Sequence, residues 1–198
     1  MTAESAGRHS PLGHLAAQLA APRPGVHLAE LPFLTQVNLR IDPDGSAARA
    51  VADVLGAALP TRANTAVAAG EVTVLSLGPD EWLVVAPEGR QESLEKALRQ
   101  AIGTEPGAVV DLSAHRTTVE LTGQRAREVL AKGCSLDLHP SVFIPGSCAQ
   151  VLLAQAPVLL LAREGDRPAY WLFVRASFAT YVADWLLDAC VEHMVDGP

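Results

Sequence analysis

Leu75-Ser76-Leu77-Gly78-Pro79-Asp80-Glu81-Trp82-Leu83-Val84-Val85 contains two short apolar runs around Gly-Pro-Asp. In such a turn Pro presets φ and Asp bonds nearby backbone N–H groups, so residues 71–77 and 81–86 read as a β-hairpin. Downstream, Leu94, Ala97, Leu98, Ala101 and Ile102 fall on one helical face and Gly103 lies past its end. The same order returns later. Leu160-Leu161 is followed by Trp171-Leu172-Phe173-Val174, then by a helix with Phe178, Tyr181, Val182, Trp185, Leu186 and Ala189 on its buried side. Each time a strand, a turn and a strand opened by Trp lead into a helix, an internal echo that points to duplication.

Outward from the first hairpin, Val37, Leu39 and Ile41 alternate with Gln36, Asn38 and Arg40, which predicts a half-buried strand ended by Asp42-Pro43-Asp44-Gly45. Ser46 opens a helix with the stripe Val51, Val54, Leu55, Ala58 and Leu59, and Pro60 stops it. Residues 108–112 return as a strand. In the second half Thr117, Val119 and Leu121 alternate, and a helix carrying Ala126, Val129 and Leu130 is closed by Gly133. Residues 148–153, 158–162 and 170–174 are further strand material. Both halves thus read β-α-β-β-α, the first with a closing strand. The expected fold is α/β (α+β), with two ferredoxin-like split βαβ units forming one pseudo-duplicated body over 35–190. Residues 1–34, broken by Pro11, Gly13, Pro22, Pro24, Gly25 and Pro32, predict an extended N-terminal arm laid on a partner, and 191–198 a C-terminal tail.

A chain of 198 residues is long enough for one well-buried body. Its 49% hydrophobic content against 19% charged suggests apolar surface covered by a partner. A net charge of −7 with no basic run argues against nucleic acid as a partner. The longest nearly apolar stretch, 151–162, falls short of the roughly 20 residues that cross a bilayer. The Ala-rich start lacks the basic and strongly apolar regions of an export signal, so the expectation is a cytoplasmic protein without a membrane partner. Cys134, Cys148 and Cys190 form no CxxC pair and predict reduced thiols.

Motifs for phosphate cradling, dinucleotide binding, the serine nucleophile elbow and helical zinc ligation are missing from the sequence. His9, His14 and His27 lie in the proline-rich arm and read as solvated side chains. Asp111, Ser113, His115 and Arg116 crowd one short segment. Such spacing favours a turn in which Asp and Ser bond the backbone over a nucleophile, base and acid in line. Asp137 follows a helix beside Cys134 and His139; a Cys–His nucleophile is the sharper reading, a small buried thiol the plainer one. The reading assigns no catalytic, cofactor-binding or metal residues.

Five ordered segments carry a resemblance: residues 77–85, Val110-Asp111-Leu112-Ser113, residues 130–140, Pro145-Gly146-Ser147-Cys148-Ala149-Gln150, and residues 175–186. Together they resemble the gamma subunits of heterotetrameric sarcosine oxidases, with Gln36-Val37-Asn38-Leu39-Arg40 and Asn64-Thr65 also fitting. More distantly they resemble the first part of the glycine-cleavage aminomethyltransferases, which implies an aminomethyltransferase-like body. The first resemblance implies a flavoenzyme complex with alpha, beta and delta subunits as partners. That complex demethylates sarcosine to glycine, yields hydrogen peroxide, and forms 5,10-methylenetetrahydrofolate or formaldehyde. It further implies that FAD, FMN, NAD, tetrahydrofolate and zinc belong to the other subunits, with this chain a non-catalytic part in assembly. By position Asp137 matches the acid that in the transferases approaches folate's reactive nitrogen. A folate-binding or aminomethyltransferase-like protein using Asp137 is therefore the alternative.

Overall fold

The structure is a computed structural model that describes residues 7–193. Along the chain run α1 (Ala16–Leu19), β1 (His27–Leu31), β2 (Thr35–Ile41), α2 (Ser46–Leu55), β3 (Ala66–Ala69), β4 (Val72–Gly78) and β5 (Glu81–Ala86). They are followed by α3 (Gln91–Ile102), β6 (Gly107–Asp111), β7 (Arg116–Thr122), α4 (Ala126–Ala131), β8 (Cys148–Leu153), β9 (Ala156–Arg163), β10 (Ala169–Arg175) and α5 (Ala179–Ala189). Of the tail expected at 191–198, a 3-10 turn Val191–His193 is seen and 194–198 lie outside the described residues.

Strand alternation sorts the side chains into layers. In the first sheet, ordered β3-β4-β5-β2-β6, the residues Val37, Leu39, Val74, Trp82 and Val84 face α2 and α3 and pack on Val51, Leu55, Leu94 and Leu98. In the second sheet, ordered β1-β7-β10-β9-β8, the residues Val119, Leu121, Leu160, Leu172 and Val174 face α4 and α5. The opposite faces meet each other: Leu75, Leu83 and Val85 pack against Leu159, Leu161 and Phe173. The layers are therefore helices, sheet, sheet, helices. Central strands are buried on both faces, which is why 81–86 and 158–162 are nearly continuous apolar runs. The high apolar content is absorbed largely by this double burial, while Val142, Ile144 and Leu152 remain exposed.

The sheets are also stitched along one seam. Ala66 N donates to Gly146 O at 2.7 Å, Cys148 N donates to Asn64 O at 2.9 Å, and Thr65 bridges Ser147. Asn64 takes φ 61, a left-handed conformation that Asn tolerates better than most residues.

The N-terminal arm expected over 1–34 is corrected. Leu12, Leu15, Leu19, Val26 and Leu28 are buried in the same cluster as Leu186 and Leu172, and β1 runs antiparallel to β7 from His27 opposite Thr122 to Leu31 opposite Thr118. The prolines and glycines prevent a long helix, but the short turns they leave still bring five apolar side chains to one face. Arg23 closes the turn after α1: its Nη1 donates to Leu19 O at 3.0 Å and Ala21 O at 2.9 Å, and its Nη2 to Gln18 O at 2.6 Å. Gly123, at φ 122, lets this segment lie against the turn before α4, where Arg125 N donates to Gly25 O at 3.0 Å. The body therefore begins near residue 12, not at 35.

Two details of the echo also change. Trp82 points into the helix-facing core and donates Nε1 to Pro60 O at 2.8 Å, whereas Trp171 points to the other face of its sheet and donates to Glu120 Oε1 at 3.1 Å. On α5, Tyr181 is exposed and Trp185 only half-buried, so the apolar stripe is narrower than the spacing suggests.

Candidate functional site

Residues 112–115 carry the chain from one sheet to the other and hold the Asp111 cluster. Asp111 Oδ1 accepts from Ser113 N at 2.9 Å and from Ser113 Oγ at 2.5 Å, while that same hydroxyl oxygen accepts from Gln36 N at 3.0 Å. Leu112 N donates to Gln36 O at 2.7 Å. The serine hydroxyl is thus committed to an acid on one side and a backbone amide on the other. A nucleophilic serine needs an imidazole at that oxygen. His115 is instead exposed, and its bonds among those described are backbone, its N donating to Leu112 O at 2.9 Å and its O accepting from Ala176 N at 3.0 Å. The cluster fastens β2 to the crossover.

After α4 the second cluster separates in the same way. Cys134 is buried beside Leu130, whose carbonyl accepts from its N at 2.9 Å. Asp137 and His139 are exposed; Asp137 Oδ1 accepts from His139 N at 2.9 Å, and His139 Nδ1 lies 2.7 Å from Ser141 Oγ. The thiol faces the core and the imidazole faces solvent, so they do not form a nucleophile and base. None of the cavities described here is lined by Asp137. His9, His14 and His27 are exposed, and no group of three metal-ligating side chains occurs among the described residues. No helix among them is long and apolar enough to cross a membrane.

Cys148 is the most protected thiol near the seam. Its Sγ lies 3.4 Å from Thr65 O and 3.7 Å from Ser76 O, and burial pushes its pKa up to about 11. Cys190 is raised for the same reason.

One constellation escapes reading from sequence. Arg116 and Arg175 are direct partners across β7 and β10 and line a cleft of about 290 Å³ at the end of the inter-sheet core. Burial, then Arg175, holds the Arg116 guanidinium below its ordinary range, with Glu81 acting in the other direction. Burial and both arginines lower His115 likewise. Nothing in a linear string pairs residue 116 with 175; only the register of the sheet does.

The model of the sarcosine oxidase, gamma subunit family matches residues 40–192. A sarcosine oxidase subunit gamma of Corynebacterium sp. (strain P-1) is 42% identical over 188 residues, covering 93% of this chain and 91% of that one. A chain in the heterotetrameric sarcosine oxidase from Corynebacterium sp. U-96, solved in complex with pyrrole 2-carboxylate, superposes with TM-score 0.88 at 38% identity. That match covers 96% of this chain and 98% of the other. The glycine cleavage system aminomethyltransferase T from Bartonella henselae shares the fold alone, with TM-score 0.68 at 14% identity over 89% of this chain and 56% of that one.

Proposed function

The chain belongs to the sarcosine oxidase gamma subunit family, and from that premise we propose that it is a non-catalytic subunit of a heterotetrameric oxidase, serving assembly and stability. The observation that carries this is the 42% identity running through nearly the whole chain of a gamma subunit. The proposed reaction of the complex is oxidative demethylation of sarcosine to glycine. Its products are hydrogen peroxide and either 5,10-methylenetetrahydrofolate or formaldehyde. The alpha, beta and delta subunits are the proposed partners, in the cytoplasm, and FAD, FMN, NAD, tetrahydrofolate and zinc are assigned to them.

The residues of this chain do not fit a folate site at Asp137. Its carboxylate is exposed and accepts from the amide of His139 in its own loop, and positioning is what makes an acid effective. We read the two sheets as ferredoxin-like units. Supporting this, β6-β2-β5-β4 and β1-β7-β10-β9 run in matching order, with β1 from the N-terminal segment in the place that β6 holds in the first sheet.

The test is co-expression with the flavin-containing subunits and, separately, titration of the full chain with tetrahydrofolate. Stable co-purification without folate binding is the expected result. Micromolar folate binding by the chain alone would overturn the non-catalytic reading in favour of the alternative that uses Asp137.

A further inference from the structure

Like charges directly opposite in a sheet destabilise it, yet Arg116 and Arg175 face one another across β7 and β10. Arg116 is half-buried, and its Nη1 is enclosed without a hydrogen-bond partner among the described residues. Neither arginine belongs to an ion pair there. The acid that acts on Arg116 is Glu81, whose Oε1 already accepts from Asn38 Nδ2 at 2.8 Å. In a chain of net charge −7, this corner reverses the sign of the molecule.

An enclosed guanidinium without a partner is costly, and a carboxylate is what its planar fork fits best. The remaining walls of the cleft are largely apolar, among them Leu77, Phe173 and Leu152, the last 59% exposed. Leu152 stands on β8, whose outer edge is already met by Cys134 at Leu153 and by Thr65 at Ser147, so an incoming segment would be held at the cleft by its side chains and not by strand addition. We infer that Arg116 and Arg175 receive an acidic side chain or chain-terminal carboxylate from a segment of a partner subunit, with a neighbouring apolar side chain of that segment covering Leu152. This rests on the subunit reading above. Charge complementarity and the exposed apolar side chain of Leu152 in the same cleft favour a segment over a free anion.

The test uses the co-expressed complex, with release of this subunit on dilution followed at about 50 and 500 mM NaCl, a range over which exposed charge pairs are progressively screened. Arg175→Gln, at an exposed position, should weaken retention by about tenfold or more and flatten its salt dependence, with the melting temperature of the full chain unmoved or raised. Leu152→Asp places a like charge at the mouth without touching the core, and should weaken retention comparably. If both variants are retained like the parent, the inference is overturned. If acetate or inorganic phosphate at millimolar concentration raises the melting temperature of the parent and not of Arg175→Gln, while retention is unchanged, the site belongs to a free anion and the partner assignment is overturned. A parent chain that never co-purifies overturns the subunit reading itself, a different result from retention that ignores these two residues.

Discussion

Gly133 lies against the indole of Trp185: a Cβ at residue 133 would stand 2.9 Å from Cη2 and closer still to Cζ2. Glycine is required here by contact, since its φ is not left-handed. The turn after α4 is thereby pressed onto α5. Gly133→Ala should cost about 1–3 kcal/mol by overpacking. In a Trp185→Ala background the same change should cost little, because the ring that it meets is gone. Urea denaturation of the four proteins of this cycle checks it; equal costs in both backgrounds would show that the contact does not matter.

The N-terminal segment gives a second test. Leu19 is 1% exposed in the cluster between the second sheet and α5, so Leu19→Ala should destabilise the chain by about 2–5 kcal/mol. Deleting residues 1–25 removes Leu12, Leu15, Leu19 and the Arg23 turn together, and should lower the melting temperature sharply or abolish cooperative unfolding. A truncated chain that melts like the parent would show that residues 12–25 are not part of the core.

Thiol chemistry supplies a pH dependence. The folded-state pKa of Cys148, about 11 against an ordinary 9.0, means that the folded chain holds this proton more tightly than the unfolded one. The contribution is fully present below pH 9 and is lost as pH rises through 11, so stability should fall across that window. Native Cys148 should resist iodoacetamide at neutral pH and react once urea unfolds the chain. Rapid alkylation of the native protein, located by mass spectrometry, would contradict the placement at the seam.

For Asp137 the expected outcome is silence. Asp137→Ala removes an exposed loop hydrogen bond to His139 N and should leave turnover of the assembled oxidase nearly unchanged. A fall of about a hundredfold or more, the range of a lost general acid or base, would restore the folate reading.

Period-two alternation at Val37, Leu39 and Ile41, the turn Gly78-Pro79-Asp80, and the helical stripe ending before Gly103 each made a local element legible, because each depends on neighbours a few residues away. The strands at 35–41, 81–86 and 148–153 lie where the sequence alone places them. The clusters at Asp111 and Asp137 were also legible as candidates, by residue type and spacing. The sequence could not tell which face each strand would present. Trp82 and Trp171 open matching strands, yet a one-residue difference in register turns them to opposite sides of their sheets. Nor could it reveal that β1 closes the second sheet beside β7, a pairing of His27 with Thr122 that no local period records. The same holds for the arginine corner. Residues 116 and 175 are both basic in the string, but that they share one cleft follows only from the pairing of β7 with β10. Local propensity and periodicity act over a few residues and are written in the sequence. Register, layer and charge proximity arise from contacts between distant segments, and only the packed structure decides them.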